Sequence, residues 1–497
     1  VEWANKYLGP ESYAIIYKRE GKDPDEQKIA APKITPIVTN RDSQSEFLSE
    51  IQTSQVQPIE PVFVDYKKDM SQFEAQPGID VLYKKNETND IFTLIYVFNT
   101  GTENDPALNL AFNYLSYLGT DKMTAEEIAS EMYDIACSFY MNAGANQSSI
   151  QITGLSENMG KAMEIVEGLI AGAKPDEAIL ENLKGDMLKS RADAKLNQSR
   201  CFGALQRYLF YGGDFIRRTT LTDPALQALT SEQLLAKIGG LMGKQHEVLY
   251  YGPQSEKEVT EALAMHHKAS AELQPLDKKH LQLLPTDESK VLMAQYDAKQ
   301  LYYLQYANLG KQFDVAADPE ITLYNEYFGG GMNSVVFQEM REARGLAYTA
   351  QASIMQPNYA DTKYGYMAFI ATQNDKMQMA IEAFDEIINN MPESETAFKI
   401  AKEGLISRLR TDRTVKEQVL WSFIGLRNLG LEEDRDKQIF EKVQAMTLAD
   451  VKAAQEKWVK NRKYVYGILG DIQDLDLNYL KTLGPIRTVS QEEIFGY

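Results

Sequence analysis

The 497-residue sequence is poor in cysteine and histidine, with two and four respectively. Two cysteines, Cys137 and Cys201, make neither a disulfide framework nor a cysteine-based zinc cluster, and both read as buried thiols. Long apolar runs are also missing. The longest, such as "FTLIYVF" (92–98), have the length of a strand, so no membrane-spanning segment is expected. Positive charge is scarce: 52 lysines and arginines face 71 acidic residues, for a net charge of -19. With no local basic patch, such a chain repels a phosphate backbone, which excludes non-specific nucleic-acid binding. No basic-then-apolar leader follows Val1, and the start reads as a cut end. The low cysteine usage fits cytoplasm and periplasm alike.

What is present is an ordinary globular composition, 44% hydrophobic and 25% charged, on a chain too long for one core. Self-similarity organises it. "ANKYLGPESYAIIYK", "KIGGLMGKQHEVLYYG" and "QEKWVKNRKYVYGILGD" each read as a helix, a polar turn and a tyrosine-rich strand. The amphipathic stretch "MGKAMEIVEGLI" from Met159 lies over "MQMAIEAFDEII" from Met377, an offset of 377 − 159 = 218, and Lys184 over Lys402 keeps that offset. "DIFTLIYVFNTG" and "QLYYLQYANLG" read as buried strands that end at Gly101 and Gly310. A domain-sized period implies two homologous α+β domains, each a mixed or antiparallel sheet with helices packed on it, at 66–275 and 276–497. Residues 1–19 read as the C-terminal tail of a domain upstream, and the Pro- and charge-punctuated stretch 20–65 as an interdomain linker.

Two local signals are sharper. "MTAEEIASEMY" predicts a helix with Thr124 as N-cap, Glu127 reaching back to it, and Met123 stapled to Ile128. "REARGLAY" (341–348) predicts a corner: a helix capped by Asn333 or Ser334 and running to about Ala343, Gly345 as a left-handed stop, and a strand "LAYTAQASI" beyond. Arg344 serves the helix C-terminus. On residue type alone Arg341 is an exposed helix residue near Glu339 or Glu342. Tyr348 shares an alternating face with Leu346, Ala350, Ala352 and Ile354, which makes a core tyrosine a rival reading. "FGGGMNS" lacks the Gly-Lys-Ser/Thr ending of a phosphate loop, and close backbone packing explains its glycines better.

Taken together, "YNEYFGGGMNSVVFQEMREARGLAYTAQAS" resembles the signature of the C-terminal half of the pitrilysin/insulinase family of zinc metallopeptidases, the inverzincins. The paired domains and the linker fit that resemblance from end to end. It implies four similar α+β domains in two halves, with the zinc site in the first and an arginine and a tyrosine of the fourth contacting the substrate backbone. Carried over, Arg341 and Tyr348 are the substrate-binding residues, both donors suited to a developing oxyanion.

The family's H-x-x-E-H zinc motif is absent. In "NLAFNYLSYLGT" the closing Gly-Thr places Leu110, Asn113 and Tyr114 where His, Glu and His would stand. None of these does the work of ligand or base. The histidines lie elsewhere: His246 in the domain-end repeat, and His266, His267 and His280 in a polar stretch around the domain boundary that is expected to be a solvated connector. The resemblance therefore implies the non-catalytic half of a zinc endopeptidase. Zinc belongs to the full-length protein and not to this chain, no catalytic residue lies in this chain alone, and the partners are an N-terminal catalytic half and peptide substrates. A non-enzymatic scaffold or peptide-binding subunit derived from the same family is the alternative.

Overall fold

The structure, a computed structural model, describes residues 2–9, 11–17, 45–55, 57–270, 272–276 and 280–497. The chain divides into two compact units, 1–58 and 59–497. The first contains two short helices, Glu2–Tyr7 and Glu46–Thr53. The strand expected near residues 13–17 does not form among the described residues. Both complete copies of that repeat place the strand between two hydrogen-bonded neighbours, and among the described residues this unit contains no strand to pair with it. Residues 18–44, which include more than half of the expected linker, lie outside the described residues.

The second unit holds two six-stranded mixed sheets. The first is built from β1 (Ser71–Gln76), β2 (Ile79–Lys85), β3 (Ile91–Phe98), β4 (Cys137–Ala143), β5 (Ser148–Leu155) and β6 (His246–Gly252), in the order β1-β2-β6-β3-β5-β4. The second contains β7 (Lys290–Gln295), β8 (Gln300–Gln312), β9 (Thr349–Met355), β10 (Lys363–Gln373), β11 (Val465–Gly470) and β12 (Ile486–Val489), in the order β12-β7-β11-β8-β10-β9. Five consecutive positions correspond. In each sheet the late strand, β6 or β11, enters parallel to the first of the five and antiparallel to the second. Only the outermost strand differs, β1 antiparallel and N-terminal, β12 parallel and C-terminal. β8 does not stop at Gly310. It runs on to Gln312 through that glycine at φ 74, beside an irregularity in its pairing with β10.

Helices cover both faces. Near the first sheet, α1 (Leu108–Leu115), α2 (Ala125–Asp134) and α3 (Met159–Gly172) pack a core around Tyr96, Phe98 and Ile152, with α4 (Glu177–Lys195) alongside. The α2 capping box forms as expected: the Glu127 N–H donates to Thr124 Oγ1 at 3.2 Å, and the Thr124 N–H to Glu127 Oε2 at 2.8 Å. α5 (Gln198–Thr219) follows α4 in sequence but packs on the second sheet, with Leu205 and Leu209 against Leu304 and Val465. In the second half, α6 (Asp318–Phe328), α7 (Met377–Asn389) and α8 (Glu395–Thr411) form the larger core around Tyr324, Tyr364 and Phe384. α9 (Gln418–Asn428) then crosses back, and its Val419, Leu420 and Ile424 bury against Leu82, Ile95 and Leu249. Each sheet thus has one apolar face covered by a helix from the other half of the chain. Each exchanged helix removes several large side chains from water at roughly 25 cal/mol per Å² of apolar area, which binds the two sheets together.

The repeat reaches individual side chains. Lys184 Nζ donates to the Gln227 carbonyl at 3.0 Å, and its counterpart Lys402 to the Gln444 and Met446 carbonyls at 2.8 Å each. Both ammonium groups satisfy carbonyls at the end of a later helix, Asp223–Ala228 or Arg435–Val443, that has no further turn to accept them. Cys137 and Cys201 are buried and free. Among the described residues no helix is long and apolar enough to cross a membrane.

Candidate functional site

The "REARGLAY" corner begins with the glycines before it. A Cβ on Gly329 would stand 1.8 Å from the Ala352 carbonyl oxygen, so the end of α6 touches β9 backbone to backbone. That contact is open only to glycine. Ser334, not Asn333, caps the next helix, accepting the Phe337 N–H at 3.3 Å. The helix is regular only over Val335–Phe337. Over Gln338–Ala343 it widens into a π-helical turn, and the Leu346 N–H reaches back to the Met340 carbonyl at 2.9 Å. A regular helix to Ala343 was expected; the insertion of one residue per turn is a tertiary demand that apolar spacing does not record. Gly345 then turns the chain at φ 57, as a left-handed stop should.

The strand starts at Thr349, three residues later than expected. Leu346 and Tyr348 are held instead by β10: the Leu346 carbonyl accepts Thr372 Oγ1, and the Tyr348 N–H donates to the Ala371 carbonyl at 3.3 Å. Because the pleat begins after it, Tyr348 does not share the buried face of Ala350, Ala352 and Ile354. Its side chain is 72% exposed. Arg341 folds over this ring with Cζ 4.9 Å from the centroid, and 4.9 Å from the Phe337 ring. Its Nε lies 3.6 Å from Glu342. Arg344 pairs with Glu386 at 2.8 Å and Glu339 at 3.4 Å, tying the turn to α7 rather than serving the last carbonyls of its own helix. Lys376 Nζ completes the support by donating to the Gly345 carbonyl at 3.2 Å. The corner therefore presents a guanidinium and a phenol side by side toward solvent, on a backbone fixed from three sides.

Metal chemistry finds no purchase in the corresponding place of the first half. Leu110 and Tyr114 are buried in the core, and the Tyr114 hydroxyl is spent on Ser231 Oγ and the Asp176 N–H, each at 2.7 Å. Asn113 is exposed. These residues do not fit a zinc ion. Among the described residues no three His, Cys, Asp or Glu side chains converge on a metal-sized space.

Two of the histidines form a buried pair. His246 and His267 are buried, with their Nε2 atoms 2.8 Å apart, and His267 Nδ1 lies 2.6 Å from Glu167 on α3. His246 Nδ1 lies 2.7 Å from the Lys244 carbonyl and so carries the donated proton, which leaves its Nε2 to accept from His267. Burial pushes the His246 imidazole down to about 4. For His267 the expectation of a solvated connector fails because residues far apart in sequence close over the pair, with the Phe98 ring packed at a tilt on His246 and the Tyr96 ring on His267. His266 and His280 are half-buried, and His280 pairs with Asp361 at 2.6 Å and stacks on Tyr359.

Residues 245–405 match the family described as the Peptidase M16 inactive domain. That segment is similar to an M16 peptidase inactive domain. This agrees with the pitrilysin/insulinase resemblance of the same segment. An uncharacterized zinc protease of Streptomyces coelicolor is 24% identical over 257 residues, 49% of this chain and 55% of the relative, so the chain spans about half the length of that protein. Among solved structures, an M16 inactive domain from Pseudomonas fluorescens superposes with a TM-score of 0.65 at 18% identity, over 81% of this chain and 98% of that one. The ferredoxin protease FusC, solved in complex with Arabidopsis ferredoxin, superposes with a TM-score of 0.65 at 12% identity, over 93% of this chain but 49% of its own. At these identities the structural matches establish the α+β fold, two mixed sheets wrapped by helices.

Proposed function

We propose that this chain closes a peptide-holding chamber against a zinc-bearing N-terminal half, in the same polypeptide or a partner subunit, and supplies Arg341 and Tyr348 to the substrate there. The observation that carries this reading is the exposed Arg341–Tyr348 pair. A 72% exposed tyrosine stacked on a guanidinium adds little to the fold, yet the surrounding backbone is held by Thr372, Arg344 and Lys376. Both groups donate hydrogen bonds and neither accepts a proton readily, so they suit a peptide carbonyl that becomes an oxyanion. Zinc, where present, would supply its chemistry from the other half. Rigid presentation matters because such donors act only when aimed in advance.

The test is steady-state peptide hydrolysis by the complete protein carrying Tyr348→Phe. The ring and its stacking on Arg341 remain and one donor is lost. Removal of one oxyanion donor lowers kcat by about 10²–10³, with KM little changed. An unchanged kcat would assign Tyr348 to the surface and favour the scaffold reading.

A further inference from the structure

Each sheet ends in two edge strands, and an edge left open invites another strand to add. Three of the four edges here are blunted. β1 breaks register between Glu74 and Gln76. β12 has only four residues. β9 is sealed by α6: Asn325 Nδ2 donates to the Ile354 carbonyl at 3.0 Å, its Oδ1 accepts the Ile354 N–H at 2.8 Å, and Gly329 packs on the Ala352 carbonyl.

β4 is the counterpart of β9 and lacks these devices. It runs seven residues, Cys137–Ala143, in unbroken register with β5, and its sequence CSFYMNA contains no charge and no proline. Hydrogen bonds at its two ends fix which groups face outward. The Gly144 N–H donates to the Gln147 carbonyl at 2.8 Å and the Leu155 N–H to the Ala136 carbonyl at 3.3 Å. In an antiparallel ladder these bonds recur at every second residue, so Ser138, Tyr140 and Asn142 bond to β5, while Phe139, Met141 and Ala143 direct N–H and C=O away from the sheet. At Ala143 the outward carbonyl is taken by Asn109 of α1 at 3.3 Å, the weaker counterpart of the Asn325 clamp. The outward groups of Phe139 and Met141 have no such partner. The nearby surface is acidic: α2 packs against β4 and exposes Glu126, Glu131 and Asp134 with no basic residue along its length.

We propose that β4 is a docking edge that takes an extended, cationic peptide segment as an added strand, bonded through the backbone of Phe139 and Met141. Recognition is by main chain, so it is tolerant of sequence, and the exposed Tyr140 ring offers apolar contact on one face. The carboxylates of α2 favour lysine or arginine in the arriving segment. This edge is separate from the Arg341–Tyr348 corner and its occupation does not depend on any reaction there.

The test is residue-resolved amide hydrogen exchange on the unaltered protein, with and without a synthetic peptide of alternating threonine and valine flanked by paired lysines. In the free protein the Phe139 and Met141 amides exchange fast while Tyr140 and Asn142 are slow. Saturating peptide slows Phe139 and Met141 at least tenfold and leaves Tyr140 and Asn142 as they were. The same peptide N-methylated at every second residue gives no protection. Met141→Pro deletes one outward donor without touching the β5 ladder and weakens peptide binding about tenfold; if that variant does not fold, the exchange result on the unaltered protein decides alone. Absence of added protection at saturating peptide overturns the proposal. So does protection of Phe139 and Met141 that rises with protein concentration alone, since the occupant is then a second copy of this chain.

Discussion

Asp385 offers a quantitative test of how the second core is built. It projects from α7 toward Gln305 on β8, whose Nε2 lies 3.4 Å away, and it sits among the buried tyrosines 303, 464 and 466. Burial pushes its carboxyl up to about 6 from an ordinary 3.8, with the Gln305 hydrogen bond opposing and Glu382 adding to the rise. The folded chain therefore keeps a proton that the unfolded chain releases, and stability falls as pH rises from about 4 through about 6. Two pH units at about 1.4 kcal/mol each set an upper limit of about 3 kcal/mol of destabilisation above pH 6. Asp385→Asn keeps the shape and the bond to Gln305 but cannot ionise. It should raise stability by up to about 3 kcal/mol at pH 7.5 and change it little at pH 4, read as the shift in urea unfolding midpoint at the two pH values. An equal effect at both, or a loss at pH 7.5, would refute the claim that the carboxylate is held in an apolar site.

Other consequences are as direct. His267→Ala leaves Glu167 buried without its imidazole partner and should cost about 3–5 kcal/mol, measured by chemical denaturation. His246, depressed to about 4, resists protonation in the folded chain, so its contribution is present above pH 6.5 and lost as pH falls toward 4; His246→Gln should flatten the acid limb of the stability profile. Gly329→Ala drives a methyl into the Ala352 carbonyl and should destabilise by about 3 kcal/mol or more, lowering the melting temperature, whereas Ala at Gly331, which faces open space, should not.

Much of this architecture is visible in the linear chain because it is local or repeated. The capping box at Thr124 involves residues three apart, and the offset between Lys184 and Lys402 survives as a shared hydrogen-bond pattern. The Arg341–Tyr348 corner is legible as a motif with its glycine stop, although its π-helical turn is not. The residues that follow the widened turn, Arg344 and Gly345, are held by Glu386 and Lys376, far along the sequence. The exchange of α5 and α9 between sheets leaves no trace in amphipathic spacing, since an apolar stripe does not state which sheet it will cover. Nor does spacing reveal the Glu167–His267–His246 chain, whose members lie 100 and 21 residues apart and meet only once α3 and β6 are packed. The different fates of β4 and β9 follow from one helix fitting its edge more closely than its counterpart does. Sequence alternation alone describes two similar strands.

The most direct measurement is hydrolysis of a quenched fluorescent peptide by this chain alone, by a half bearing the H-x-x-E-H motif alone, and by the two combined, with and without Arg341→Ala. The proposed division of labour predicts no activity from this chain alone, activity in the combination, and a fall of at least about a hundredfold with the substitution. Chelator-sensitive activity in this chain by itself, or full activity of the combination carrying Arg341→Ala, would contradict it.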